Sequence, residues 1–187
     1  MIGNTVALGW LGYAYFEKDD GPGATPLLEQ SVSEFANFGF AQFHGWFTIY
    51  LAEARRLTGD LAMAETLALQ GLARSTDAGS IYGIGLADRA LGRIAYAKGD
   101  LTTAGTHLDR ALHTFASMET RYDLGRVHLD LALLAHAKDD RARAANHLRQ
   151  ADQLFATLGL PSHSARVHEM AQSLSLPIAG GSSDESH

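Results

Sequence analysis

Residues 91–112 read LGRIAYAKGDLTTAGTHLDRAL, and the fold of the chain can be inferred from this stretch. A Lys-Gly-Asp break divides it, and on both sides apolar or small residues recur in steps of three and four. Such spacing places these residues on one face of a helix. The stretch therefore predicts two amphipathic helices joined by a tight turn.

The break recurs along the chain at a fixed interval. The central residues of four such breaks stand at positions 19, 59, 99 and 139, a strict spacing of 40. A fixed period of this length indicates a repeat architecture. The four breaks are Lys18-Asp19-Asp20, Thr58-Gly59-Asp60, Lys98-Gly99-Asp100 and Lys138-Asp139-Asp140.

Apolar stripes hold the same phase between the breaks. Each unit has one stripe before its break and one after it, so each unit is predicted to be helix, turn, helix. Neither helix can bury its stripe alone, and neighbouring units must therefore stack. The stripes before the breaks are Ala7, Leu11, Ala14; Phe47, Leu51, Ala54; Ile84, Ala87, Leu91, Ile94, Ala95; and Leu124, Val127, Leu131, Leu134, Ala135. Those after the breaks are Ala24, Leu28, Ser31, Phe35, Phe38; Leu61, Ala64, Ala68, Gly71, Ser75, Ala78; Leu101, Ala104, Leu108, Ala111, Phe115, Met118; and Ala144, Leu148, Ala151, Phe155, Leu158.

Residues of the third and first units resemble the signature of the tetratricopeptide (TPR) repeat family. The resemblance covers about residues 3–175, with a period of 40 residues where the family commonly has about 34. Long-period arrays of this kind resemble those in large bacterial signalling proteins. The matching residues are Leu91-Gly92, Ala95, Gly99, Ala104, Leu108 and Ala111-Leu112 in the third unit, and Leu11-Gly12, Tyr15 and Ala24 in the first.

The resemblance implies an all-α, right-handed α-solenoid of four helix-turn-helix repeats followed by a capping helix. We expect one repeat domain over residues 1–175 and a disordered tail over 176–187. The repeats are predicted at about 3–38, 41–78, 81–118 and 121–158, and the capping helix at 162–175. Gly45, Gly85 and Gly125, again 40 apart, suggest close contacts between helices. The Asp19-Asp20 and Asp139-Asp140 pairs are expected to cap the helices that follow them.

Composition excludes several classes of function. The net charge of −6 argues against direct attraction to nucleic acid or to an anionic membrane. No stretch approaches the roughly 18 apolar residues that a membrane helix needs. The apolar start of the chain lacks the basic region and cleavage site of a signal peptide. There is no cysteine, which excludes disulfides and favours the cytoplasm as the compartment.

Motifs for catalysis or metal binding are incomplete. The histidine pairs His107/His113, His128/His136 and His163/His168 lie six, eight and five residues apart, not the four that helical zinc sites often use. His168-Glu169 begins an H-E-x-x-H motif that fails at Gln172. We therefore predict no catalytic residue, no metal and no cofactor, and not an enzyme. The alternative is an enzyme with its active site in the concave groove of the solenoid. A closed pocket that holds His128 or His136 beside Asp130 or another acid would favour this alternative.

The concave groove is the predicted binding site. In TPR-like arrays the first helix of each repeat lines it, and the family pattern selects a set with four arginines and one glutamate. Arginine forks suit carboxylates, so we expect a protein or peptide ligand with acidic groups. The alternative is an ordinary solvated helix face with arginines paired to nearby Asp. The selected residues are Tyr13, Phe16, Trp46, Glu53, Arg56, Arg89, Arg93, Tyr96, Arg126 and His136.

The aromatic residues are concentrated near the start of the chain. Eleven of the 16 lie between Trp10 and Tyr50. Terminal repeats usually present a polar outer face, so an aromatic first helix indicates contact with another domain, another repeat or a second copy of the chain. The alternative is a core that is simply rich in aromatics. A further alternative for function is a regulatory or sensor module of a larger signalling protein, controlling an ATPase, a cyclase or a transcriptional regulator.

Overall fold

The structure, a computed structural model, describes residues 2–38 and 40–177. These residues form nine helices and no strand, so the predicted all-α fold is confirmed for them. The helices are α1 (Ile2–Glu17), α2 (Gly21–Phe38), α3 (Ala41–Leu57), α4 (Leu61–Asp77), α5 (Ile81–Ala97), α6 (Leu101–Ser117), α7 (Arg121–Ala137), α8 (Arg141–Thr157) and α9 (Pro161–Ser173).

Helix and turn lengths explain the 40-residue period. Each of the six helices from α3 to α8 has 17 residues, and three residues connect each to the next. Each connection contains a residue in the left-handed region, for example Gly59 with φ 85° and Gly99 with φ 82°. Glycine adopts this conformation without steric cost, so these two positions stop their helices cleanly.

The two aspartates of each Asp-Asp pair have different roles. Asp20 Oδ1 accepts a hydrogen bond from the Gly23 N–H at 2.8 Å, and Asp140 Oδ1 accepts one from the Arg143 N–H at 2.9 Å. The predicted caps are therefore confirmed for the second aspartate of each pair. Asp19 takes the left-handed conformation instead, with φ 58°, at the position that corresponds to Gly59.

The chain divides into two compact units, unit 1 ending at Met118 and unit 2 beginning at Glu119. In unit 1 the helices pair as α1–α2, α3–α4 and α5–α6, and α2 packs on α3 as α4 packs on α5. The first helices of these pairs, α1, α3 and α5, are also neighbours. In unit 2, α7 pairs with α8, and α9 packs on α8. No described helix is long and apolar enough to cross a membrane.

The second helices bury their predicted stripes. Phe35, Phe115 and Phe155 are almost fully buried, and Ser75 occupies the equivalent position in α4. The predicted close contacts of the first-helix glycines are present as well. A Cβ at Gly85 would lie 2.9 Å from the Phe115 ring, a distance that real Cβ atoms essentially never show. Gly45, Gly85 and Gly125 therefore allow α3, α5 and α7 to approach the second helices of their own pairs.

Other stripe predictions are wrong. Ala7, Leu11 and Ala14 of α1 are exposed, although the equivalent residues of later first helices are buried. Ala78, Met118 and Leu158 are also exposed, because α4, α6 and α8 end one residue earlier and these side chains stand in the turns. The Phe38 side chain and residues 178–187 of the predicted tail lie outside the described part of the chain. Within that tail, Leu176 is buried in the unit 2 core.

Candidate functional site

The main polar site of unit 1 is built around a buried glutamate on α3. The Glu53 side chain is 4% exposed, and Arg56 one turn later donates from Nε to its Oε2 at 2.6 Å. Arg93 on α5 donates from Nη1 to Oε1 at 2.9 Å. Glu53 and Arg93 stand at equivalent positions, 40 residues apart, so they meet because α3 and α5 are neighbours.

A strong positive field surrounds this carboxylate. Burial favours the neutral form of Glu53, but the guanidinium groups of Arg93, Arg56 and Arg89 outweigh burial and lower its pKa to about 2. Glu53 is therefore ionised at neutral pH. We call Glu53, Arg56, Arg89 and Arg93 the Glu53 cluster.

Aromatic rings adjoin the Glu53 cluster on the α1 side. The Arg93 guanidinium lies 5.9 Å from the centroid of the Phe16 ring, within reach of a cation–π interaction. Tyr13 and Phe16 both contact Tyr50, with ring centroids 4.6 and 6.4 Å away. Sequence reasoning missed Tyr50, which lies three residues before Glu53 and so shares its side of α3.

The remaining predicted site residues are dispersed. Trp46 donates from Nε1 to Ser80 Oγ at 3.2 Å and contacts the Tyr82 ring, away from the Glu53 cluster. Tyr96 is half-buried on α5. Arg126 and His136 belong to unit 2. Arg126 is buried with its guanidinium 5.5 Å from the centroid of the Tyr122 ring, and His136 is half-buried.

Burial also differs from the expectation of a solvated groove face. Glu53, Phe16, Arg89 and Arg126 are all at most 7% exposed. Arg56 and Arg93 keep 14% and 17% of their side-chain surface exposed. In unit 1 Arg56 and Arg93 thus form the accessible part of the site, while Glu53 and Arg89 are buried.

Two buried polar pairs were also missed. Asp88 Oδ1 on α5 lies 2.8 Å from His107 Nδ1 on α6, and His128 Nδ1 on α7 lies 3.0 Å from His147 Nδ1 on α8. Each pair joins the two helices of one repeat across 19 residues, and the two pairs stand at equivalent positions. The signal was present in the sequence, but the histidines were compared with each other along single helices.

The second of these pairs adjoins a cleft in unit 2. The cleft has a volume of about 380 Å³. Burial and the neighbouring His147 lower the pKa of His128 to about 4, so His128 is neutral at physiological pH. The described residues contain no group of three or more side chains able to hold a metal ion. The cleft is lined by Arg121, Leu124, His128, Gln150, Gln153, Leu154 and Thr157.

Comparison with known proteins agrees with this architecture. Residues 45–70, in α3 and α4, match the model of a tetratricopeptide repeat. The TPR-like repeats of a protein described as a kinesin light chain of Podospora anserina superpose with a TM-score of 0.60 at 18% identity, covering 93% of this chain and 92% of that one. A single-substitution form of the same protein gives 0.58 at 19% identity, covering 90% and 89%.

A further solved structure, BtubC (BKLC) from P. vanneervenii, gives a TM-score of 0.62 at 14% identity, covering 94% of this chain and 84% of that one. A search of curated proteins found no match. The long-period bacterial signalling type stays a prediction. The helix pairs, the match at residues 45–70 and the shared architecture together show that this chain has a TPR-like repeat fold.

Proposed function

We propose that the chain is a protein-binding scaffold that recognises acidic segments of its partners at the Glu53 cluster. TPR-like repeats act generally in protein–protein interaction, through surfaces that the stacked helices expose. The observation that carries the acidic preference is the positive field of three arginines, strong enough to hold the pKa of a buried carboxyl at about 2. Three arginines and one ionised glutamate leave the cluster with a formal charge of +2, which would attract a carboxylate on a bound peptide.

The geometry of the arginines supports this preference. Among the described residues, Arg56 Nη2 is buried and has no hydrogen-bond partner. A buried guanidinium N–H without an acceptor is unfavourable, and a ligand carboxylate could supply one after a small side-chain movement. Tyr13, Phe16 and Tyr50 adjoin the cluster and would contact apolar atoms of the same ligand.

A binding role also accounts for the site better than catalysis does. The enzyme hypothesis required His128 or His136 beside an acid in a closed pocket. His128 instead faces a second histidine beside an open cleft, and His136 lies elsewhere on α7. The regulatory or sensor role remains a proposal that depends on which partner the scaffold binds.

The test is a binding titration with a fluorescently labelled peptide rich in glutamate and a peptide of the same length rich in lysine. The critical variant is Glu53→Gln/Arg56→Gln/Arg93→Gln, which removes the two accessible arginines, Arg56 and Arg93, without leaving a buried carboxylate unpaired. We expect the acidic peptide to bind the wild type and the triple variant to bind it at least about tenfold more weakly, since two charge-assisted contacts are lost.

The control is Arg110→Gln, an exposed arginine of α6 whose loss gives the same net charge as the triple variant. It should bind the acidic peptide as the wild type does. Equal binding of the glutamate and lysine peptides, or equal weakening by Arg110→Gln, would show that the Glu53 cluster is not the site.

A further inference from the structure

The outer face of α1 is apolar and exposed. It consists of Gly3, Ala7, Leu11, Ala14 and Tyr15, of which Leu11 is 49% exposed and Tyr15 39%. From position 2 to position 16 the sequence contains no charged residue. A helix surface of this kind is typical of an interface rather than of a face in contact with water.

Two positions of this face, those of Ala7 and Leu11, are buried in every later first helix. Among the described residues, Ala7 and Leu11 are the exposed ones at these two repeat positions. At the position equivalent to Ala7, the residues Phe47, Ala87, Val127 and Val167 are all 0% exposed. At the position equivalent to Leu11, the residues Leu51, Leu91, Leu131 and Ala171 are at most 5% exposed.

These buried positions pack on the second helix of the preceding repeat. In unit 1, the Phe47 ring of α3 stacks on the Phe35 ring of α2 with centroids 5.5 Å apart. In unit 2, Val167 and Ala171 of α9 belong to one core cluster with Leu148 of α8. The outer face of α1 therefore corresponds to the face with which a first helix covers a second helix.

The outer face of α1 also has the residue pattern of the surface that is covered. The second helices α2, α6 and α8 present a small residue, a leucine four positions later and a small residue three positions after that, whereas α4 has Ala68 in place of the leucine. Ala7, Leu11 and Ala14 repeat this pattern. The outer face of α1 therefore has the position of a first-helix face that covers a second helix, and the composition of the second-helix face that is covered. The second-helix examples are Ala24, Leu28, Ser31; Ala104, Leu108, Ala111; and Ala144, Leu148, Ala151.

We propose that two copies of this chain pair through the outer faces of α1, with a two-fold axis close to Leu11. Such an isologous contact requires a surface that is complementary to itself. Small residues on both sides of Leu11 let the two helices approach closely. Because the face carries no charge, the two copies meet there without like-charge repulsion. Trp10, 41% exposed beside the face, would lie at the edge of the contact.

The test measures the association state by sedimentation equilibrium over a range of concentrations. We expect a wild-type dimer that dissociates in the micromolar range, since one helix face from each copy is a small interface. Leu11→Asp buries a carboxylate in the proposed contact and should be monomeric. The matched control is Leu69→Asp, because Leu69 of α4 is 52% exposed and should leave the dimer unchanged. Circular dichroism would verify that both variants keep the helical fold.

Single cysteines give an independent measurement, because the chain has none of its own. Leu11→Cys should form a disulfide between copies under mild oxidation, since two residues near a two-fold axis lie close together. Leu69→Cys should not. A wild type that is monomeric up to millimolar concentration overturns the proposal. So does a dimer that survives Leu11→Asp, or one that Leu69→Asp disrupts equally.

Discussion

Unit 1 and unit 2 have different polar pairs at one equivalent position between the two helices of a repeat. In α5 and α6 the position holds Asp88 and His107, and in α7 and α8 it holds His128 and His147. The separations of the paired atoms are similar, 2.8 and 3.0 Å, so the backbone accommodates both pairs. The equivalent residues in α3 and α4 are Thr48 and Leu67. The fold therefore does not require a polar pair at this position.

Protonation is unfavourable for the histidine pair of unit 2. Two imidazoles share one hydrogen bond while one nitrogen remains unprotonated, but two imidazolium groups repel each other. Burial and His147 accordingly lower the pKa of His128 to about 4. Equivalent positions in two repeats can therefore hold different polar pairs without a change in the backbone, and the pair in unit 2 includes a histidine whose pKa is strongly lowered.

The largest expected effect is the loss of unit 2 stability in acid. The ordinary pKa of His128 is 6.5 and its folded value is about 4. Between these values the unfolded chain binds more protons than the folded chain, so the free energy of unfolding falls as pH falls. We expect a loss of up to about 3 kcal/mol between pH 6.5 and pH 4. Amide hydrogen exchange resolved by helix would locate the loss in α7 and α8.

The pH dependence of stability that comes from Glu53 and His44 must be separated from that of His128. Glu53 contributes stability that is lost only below about pH 4.5, towards its folded pKa of about 2. Burial and Arg74 lower the pKa of His44 in unit 1, which therefore also loses stability as pH falls below 6.5. The His128→Leu/His147→Leu variant serves as the reference, since it keeps both contributions. Identical pH profiles for this variant and the wild type would contradict the prediction.

Creating a histidine pair between α5 and α6 in unit 1 should make the stability of that unit more sensitive to acid. In Asp88→His, two imidazoles would meet between α5 and α6, and protonation of both would again be unfavourable. We expect about 2 kcal/mol of additional destabilisation at pH 5 relative to pH 7.5, measured by urea denaturation. His128→Asp is the reciprocal variant and should reduce the acid sensitivity of unit 2. If neither variant changes the pH profile, the pairs do not determine it.

Removing half of the unit 2 pair should have a smaller effect at neutral pH. His147→Leu leaves His128 Nδ1 without its 3.0 Å partner in a buried environment. An unsatisfied buried polar group of this kind costs about 1.5 kcal/mol. Urea denaturation at pH 7.5 measures the change. A variant as stable as the wild type would mean that water replaces the lost partner.

The smallest expected effect comes from removing the whole pair. Position for position, Leu8 and Leu27 already occupy these sites in the first repeat. Replacing both partners of a buried hydrogen bond by apolar residues is nearly neutral. We therefore expect His128→Leu/His147→Leu to lie within about 0.5 kcal/mol of the wild type at pH 7.5. A loss as large as that of His147→Leu alone would assign the histidines a role beyond their mutual contact.

The sequence predicts the helices well because their pattern is local. Breaks at fixed intervals and stripes in steps of three and four place most helix boundaries within one or two residues. α2 begins at Gly21, directly after its break, because Asp20 caps it and Pro22 is tolerated in the first turn.

The candidate site is predicted less well, because burial depends on neighbours in space. Equivalent positions identified Glu53 and Arg93 as members of one surface, but not that Glu53 is buried while Arg56 and Arg93 remain partly exposed. The prediction that the apolar stripe of α1 is buried is wrong for a related reason. Leu11 has the pattern of a buried residue, and only the absence of a covering helix among the described residues makes it exposed.

The uniform lengths of α3 to α8 have a consequence for how such a chain changes over evolution. Any segment of 40 residues cut from this stretch begins and ends at equivalent points of the backbone. Unequal recombination between two such points would add or delete a whole helix pair and leave both flanking turns intact. The number of repeats can thus change in a single genetic event, without the need for a new turn.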